Sequence, residues 1–158
     1  MIFICTGSQK FQFDRLLEAV DTLAGSGTIT EKIFAQSGYC TYRPEHFEYK
    51  PFLDRNEFAQ KLDEADIVIT HGGTGVIISA VKKRKKVIAV PRRAEYGEHV
   101  DDHQLQLLGQ FKELDLICEC DDPALLAEAI ETVKHREYKA YVSNTRRMMD
   151  SIAEFIEG

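Results

Sequence analysis

Apolar residues recur along this chain in two rhythms. Residues 1–6 read as a short buried strand, apolar through Ile2, Phe3, Ile4 and Cys5, the mark of a strand covered on both faces. Phe13, Leu16, Leu17, Val20 and Leu23 then fall at helical spacing and predict a helix over 13–23. "GSG" at 25–27 breaks the pattern, and the runs at 32–36 and 47–49 read as second and third strands with an irregular stretch between them. Asp54 with Glu57 three residues on marks a helix start, and Phe58, Leu62 and Ala65 carry its stripe to a fourth strand at 67–70. A helix is predicted over 76–81, a strand over 86–91, a helix over 100–111 and a strand over 116–120. Asp122 and Pro123 cap a helix running to about Lys134, and a last helix covers 144–156.

Strands alternating with helices require a mostly parallel sheet, because parallel strands need crossovers and the crossovers cover the sheet. The expected fold is α/β, a single Rossmann-like domain over 1–158 with helices on both faces. Ligands of such sheets sit at the carboxyl ends of the strands, where three polar loops lie at 6–9, 71–75 and 91–103.

The chain's 158 residues suit one core, and 44% hydrophobic with 29% charged residues is ordinary for a globular domain. A net charge of -6 argues against nucleic acid as a partner, since phosphate neutralisation needs a basic surface. No apolar stretch approaches the roughly 20 residues that span a bilayer, and the opening "MIFICTGSQ" lacks the features of a signal peptide, so a cytoplasmic chain without a membrane span is expected. Four cysteines without a metal-pair spacing read as free thiols.

"ITHGGTG" (69–75) runs from a strand through His71 and three glycines into a helix. Such a helix start offers unpaired N–H groups and the positive end of its dipole, and glycines admit a ligand close to the backbone, which suits phosphate. The alternative is a tight strand-to-helix turn with no ligand. "TGSQ" after the first strand, a second small-residue loop at the same sheet edge, favours phosphate. One glycine there falls short of GxGxxG, and GxxxxGK[ST] is absent, so a sugar nucleotide is preferred over NAD or P-loop ATP.

"TGSQ", "ADIVITHGGTGVIISAVKKRKKVIAVPR" and "YGEHVDDHQLQL" together resemble the donor-binding, C-terminal half of family 28 glycosyltransferases of the GT-B fold, over nearly the whole chain. "FDRLLEAVD" (13–21) and "GEHVDDHQ" (97–104) resemble the PssE-type catalytic subunits of two-piece bacterial β-1,4-galactosyltransferases in exopolysaccharide and capsule synthesis. The chain is also similar to the cytosolic subunit of the two-piece N-acetylglucosamine transferase of the dolichol pathway.

The resemblance implies that Gly7, Ser8 and Gln9, with Gly72, Gly73, Thr74 and Gly75, surround a nucleotide diphosphate, while His103 and Gln104 face the donor's sugar or ribose. Where relatives carry an acidic ribose-gripping residue early in the helix after the glycines, this chain has Ser79. His71 either donates to the diphosphate or satisfies nearby backbone. Inverting transfer needs a base, for which Glu98, His99 and Asp101 are candidates by chemistry and loop position; a partner subunit is the other source. His99 and His103 stand one helical turn apart, as metal ligands can, but the glutamate of a zinc hydrolase motif is missing and the helix dipole explains the acids between them. No metal or other cofactor is expected. "KKRKK" (82–86) reads as a helix end whose cations complement the dipole, with anionic lipid headgroups as the rival; Arg92 and Arg93 lie nearer the expected cleft and suit a phosphate contact.

GT-B transfer occurs between two Rossmann-like domains, and this chain has room for one. The resemblance therefore implies a membrane-anchored, acceptor-binding partner, a lipid-linked saccharide as acceptor and a UDP-sugar, with UDP-galactose as the expected donor, at the inner face of the membrane. The alternative is a non-catalytic nucleotide-binding or scaffold subunit of a membrane glycosyltransferase complex.

Overall fold

The computed structural model describes residues 1–6, 13–71, 74–90, 117–120 and 122–136. Its elements in chain order are β1 (Ile2–Cys5), α1 (Asp14–Gly25), β2 (Ile33–Gln36), β3 (Glu48–Lys50), α2 (Arg55–Glu64), β4 (Ile67–Thr70), α3 (Thr74–Lys82), β5 (Lys86–Ala89) and β6 (Cys118–Glu119). A 3₁₀ turn, Pro123–Leu125, then leads into α4 (Leu126–His135). The six strands form one sheet in the order β3-β2-β1-β4-β5-β6, and every pairing is parallel. This is a Rossmann-like parallel sheet with helices on both faces, as expected.

Strand side chains alternate between the sheet's two faces. Ile2, Ile4, Ile33, Ala35, Ile67, Ile69 and Ile88 join Leu16, Leu17 and Val20 of α1 and Leu126, Ile130 and Val133 of α4 in one buried cluster. Phe3, Phe34, Val68, Val87 and Ala89 join Leu62 of α2 and Ile77, Ala80 and Val81 of α3 in the other. Two-sided burial explains why these strands read as unbroken apolar runs. Asp54 caps α2 by accepting from the Glu57 amide at 2.8 Å, while the Glu57 carboxylate takes the Lys50 ammonium at 2.9 Å and so completes only half of a capping box. Asp122 accepts from the Ala124 amide at 3.0 Å, and the chain makes its 3₁₀ turn before α4 settles.

Carboxyl-terminal helix ends gather at the amino edge of the sheet. The Lys85 ammonium donates to the Asp63 carbonyl near the end of α2 at 2.9 Å, and that of Lys86 to the Lys134 carbonyl near the end of α4 at 3.3 Å. Lys83 pairs with Asp63, and Lys134 with Glu31. The run's lysines thus meet the carboxyl ends of the neighbouring helices α2 and α4, rather than that of the helix the run itself ends. Helix α3 closes with the Lys85 amide bonded to the Ala80 carbonyl and the Arg84 amide to Val81, both at 3.0 Å. That Schellman ending puts Arg84 at φ 58, a left-handed position where a side chain costs about 1 kcal/mol.

The irregular stretch between β2 and β3 is pinned to α1 by two carboxylates seven residues apart on one helix face. Asp14 accepts from the Thr41 amide at 2.7 Å, the Thr41 hydroxyl at 2.6 Å and the Tyr42 amide at 2.9 Å. Asp21, buried, accepts from the Tyr42 hydroxyl at 2.7 Å and the His46 amide at 2.9 Å, with the His46 ring Nδ1 at 3.0 Å. Burial opposes the charge on Asp21, yet the bonds from Tyr42, Glu45 and His46 outweigh it and hold the carboxyl below its ordinary pKa. The same bond, aided by burial, pushes the Tyr42 phenol up to about 12.

A depressed Asp21 pKa means that these bonds stabilise the fold above the ordinary carboxylate range and fail as pH falls through the lowered folded value. Tyr42 gives the mirror case, fully stabilising below 10.0 and losing its contribution as pH rises through about 12. Asp21→Ala should lower the unfolding free energy at neutral pH by about 2–3 kcal/mol, and Tyr42→Phe by about 1–2 kcal/mol, in urea titrations. The acid limb of the stability curve should flatten in Asp21→Ala; a cost below about 0.5 kcal/mol would show that packing alone holds the loop.

Candidate functional site

Strand order reverses at β1: the chain lays β2 and β3 to one side, then crosses to β4 on the other. The helix after β1 packs in one buried cluster and the helix after β4 in the opposite one, so the connections from these neighbouring strands part to opposite faces. In folds of this kind, strands whose connections part in this way leave a crevice at the carboxyl edge of the sheet, and ligands sit there.

Helix α3 begins at Thr74, two residues earlier than its apolar pattern predicts, directly beyond the glycine pair at 72 and 73. Its first-turn N–H groups have no intrahelical acceptor. Gly75 is exposed within this turn, and a Cβ built on it would meet nothing within 4 Å. Its φ is not left-handed either. Neither packing nor conformation requires glycine there, although glycine in a helix costs up to about 1 kcal/mol relative to alanine. The open space above the helix start is the feature that a glycine preserves. Ser79 stands half-buried one turn further on, sharing a helix face with Gly75 by its i, i+4 spacing.

His71, at the end of β4, is buried. Its Nδ1 lies 3.4 Å from the Thr70 hydroxyl and 3.5 Å from the Cys5 carbonyl oxygen, bridging the ends of β4 and β1. Thr6 closes the end of β1, its hydroxyl donating to the Gln36 carbonyl at 3.0 Å. Gln36 is buried as well: its Oε1 accepts from the Leu53 amide at 3.0 Å, and its Nε2 faces the Cys5 sulfur at 3.7 Å. One amide side chain thus ties together the ends of β1 and β2 and the segment leaving β3.

That segment presents an aromatic rim absent from the sequence-based expectations. Tyr39 and Phe52 are 52% and 43% exposed, with ring centroids 5.3 Å apart and edge to face. Gly38, at φ 56, donates its amide to the Pro51 carbonyl at 2.8 Å and so brings the two turns together. Strands lie about 4.8 Å apart, so the end of β3 is about 10 Å from the end of β1. The sequence signals were a polar Gln36 closing an apolar strand and a Pro51-Phe52 pair directly after a short one.

Of the expected site residues, His71, Gly75, Ser79 and the backbone of Thr74 are placed, all at the β4–α3 junction. Gly7, Ser8, Gln9, Gly72, Gly73, Arg92, Arg93, Glu98, His99, Asp101, His103 and Gln104 lie outside the described residues, as do the helices expected over 100–111 and 144–156.

Residues 1–157 match the glycosyltransferase family 28 C-terminal domain. A curated relative, the UDP-N-acetylglucosamine transferase subunit ALG13 of Candida glabrata, is 31% identical over 96 residues, covering 60% of this chain and 46% of the relative. The NMR solution structure of ALG13 superposes with a TM-score of 0.63 at 17% identity, covering 99% of this chain and 96% of that one. The glycotransferase of kitacinnamycin superposes with a TM-score of 0.64 at 14% identity, again over 99% of this chain but only 39% of its own. The chain therefore spans less than half the length of that curated relative and of that enzyme.

Gly75→Ala should leave the unfolding free energy unchanged or raise it by up to about 1 kcal/mol, because the added methyl group fills open space and favours the helix. A loss of more than about 1 kcal/mol in urea titrations would show that Gly75 serves the fold.

Proposed function

The chain belongs to the glycosyltransferase family 28 C-terminal domain family, and on that footing we propose that it is the donor-binding, catalytic part of an inverting UDP-sugar glycosyltransferase. The observation that carries this reading is the start of α3 beside the parting of the β1 and β4 connections, where Gly75 keeps a space that nothing among the described residues fills. A nucleoside diphosphate suits that geometry. Its phosphates fit the N–H groups and the half-unit positive charge at the helix start. Its base reaches toward the Tyr39–Phe52 rim, about 14 Å from the end of β4 across three strand spacings, where an aromatic edge offers a stacking surface.

Breaking the donor's glycosidic bond leaves extra negative charge on the diphosphate. Fixed N–H groups stabilise that charge without reorganising, which is the larger part of what this chain contributes to the transfer. His71 would add a donor from the end of β4, and Ser79 a hydroxyl on the face below Gly75. Glu98, His99 and Asp101 are the proposed candidates for the base that takes the acceptor's proton, and Arg92 and Arg93 for a further phosphate contact. No metal enters this mechanism, because backbone donors and the helix dipole do the work of charge stabilisation.

Among the described residues no helix is long and apolar enough to cross a membrane. The acceptor half of the enzyme, and any hold on a lipid-linked acceptor, is assigned to a membrane-anchored partner subunit. Resemblance of the 13–21 and 97–104 segments supports UDP-galactose and a role in exopolysaccharide or capsule synthesis. Similarity to a UDP-N-acetylglucosamine transferase subunit supports N-acetylglucosamine as the second reading of the donor.

Calorimetric titration should show binding of UDP, UDP-galactose and UDP-N-acetylglucosamine but not NAD, and the tighter sugar nucleotide decides the donor. Phe52→Ala should weaken UDP about tenfold with the fold intact, as loss of one stacking partner does. Binding of NAD in preference to UDP, or UDP affinity indifferent to Phe52, would overturn this placement of the donor. Transfer by the complete complex should persist in excess EDTA; activity lost there and restored by magnesium or manganese would refute the metal-free mechanism.

A further inference from the structure

The pocket at the amino edge of the sheet, about 470 Å³, is lined by Arg84, Lys85, Lys86 and Lys134 together with Glu31 and Asp66. Helix-end capping accounts for part of this charge. Lys134 is paired with Glu31, while Lys85 and Lys86 reach the last carbonyls of α2 and α4. A helix end carries only about half a negative unit charge and so offsets only about half of each lysine's; Asp66, which is paired with the N-terminal ammonium, also lies in the field of Lys85. The Arg84 guanidinium is compensated by nothing among the described residues: the residue is exposed and lines the pocket, and its side chain has no hydrogen-bond or ion-pair partner there.

Arg84 also occupies the left-handed residue that ends α3, at φ 58, where glycine or asparagine is the unstrained choice. An arginine held there against its backbone preference, beside two half-compensated lysines and over a cavity, is an outlier that helix capping does not explain. We propose that this pocket is a second anion site, which takes a phosphoryl group on Arg84, Lys85 and Lys86 at the sheet edge opposite the crevice. Guanidinium and ammonium groups on three consecutive residues, from the end of α3 to the first residue of β5, match the several oxygens of a phosphoryl group, the arginine by a two-point contact and the lysines as point charges. The inference does not depend on the donor site, from which it is separated by the length of the strands.

Two sources carry this chemistry, a free phosphorylated solute and an anionic lipid headgroup, and two probes separate them. Inorganic pyrophosphate is titrated into the whole chain by calorimetry, and sedimentation is measured with phosphatidylcholine vesicles with and without phosphatidylglycerol. Each is repeated on Arg84→Gly and Arg84→Asn, which relieve the left-handed strain and should melt no lower than the parent chain. Loss of pyrophosphate affinity by about tenfold or more in both variants identifies a solute site. Loss of phosphatidylglycerol-dependent sedimentation in both variants, with pyrophosphate binding unchanged, identifies a headgroup site. Pyrophosphate and vesicle binding that are both absent, or both indifferent to the two substitutions, overturns the proposal, including the case in which pyrophosphate binds only in the crevice.

Discussion

Parallel pairing on both sides of β1 is the constraint on which the rest of the molecule depends. Its four residues are matched in register with β2 on one flank and β4 on the other. A parallel strand cannot follow its neighbour through a hairpin, so each pairing demands a crossover, and the crossovers from β1 and β4 leave toward opposite faces. The crevice between them follows from topology before any polar side chain is considered. Gly75 leaves the start of α3 open beside it, and the ties made by Gln36 and Gly38 hold the ends of β2 and β3 together.

Much of this was legible in the residue pattern, and the parts that were not share a physical reason. Buried strands announce themselves because both faces are covered, as at 2–5, 67–70 and 86–89. Strand β3 does not: Glu48, Tyr49 and Lys50 are all exposed, and Phe47 drew the expected strand one residue too early. An edge strand takes its register from its neighbour, here Phe34 opposite Glu48, rather than from burial. Asp14 and Asp21 look like ordinary helix acids in sequence. Their role in pinning residues 41–46 appears only when the chain returns to them more than twenty residues later.

The candidate site divides in the same way. Strand β4 and helix α3 lie in one continuous segment with the glycines between them, so local pattern sufficed to mark this junction as the candidate for a diphosphate. The aromatic rim joins residues 13 positions apart across two strand ends, and no local rule pairs Tyr39 with Phe52. Charge is also arranged by topology. Helices that run against parallel strands gather their amino ends at the carboxyl edge of the sheet and their carboxyl ends at the other. Positive charge therefore comes from backbone at one edge and from lysine and arginine side chains at the other.

Amide chemical-shift mapping of the isotopically labelled chain during a UDP titration tests the central claim most directly. The account predicts saturable shifts at Thr74 and Gly75 that titrate together with those at Tyr39 and Phe52, reporting one ligand laid from the start of α3 to the end of β3. UDP that fails to bind, or that saturates while these amides stay unmoved, would contradict it.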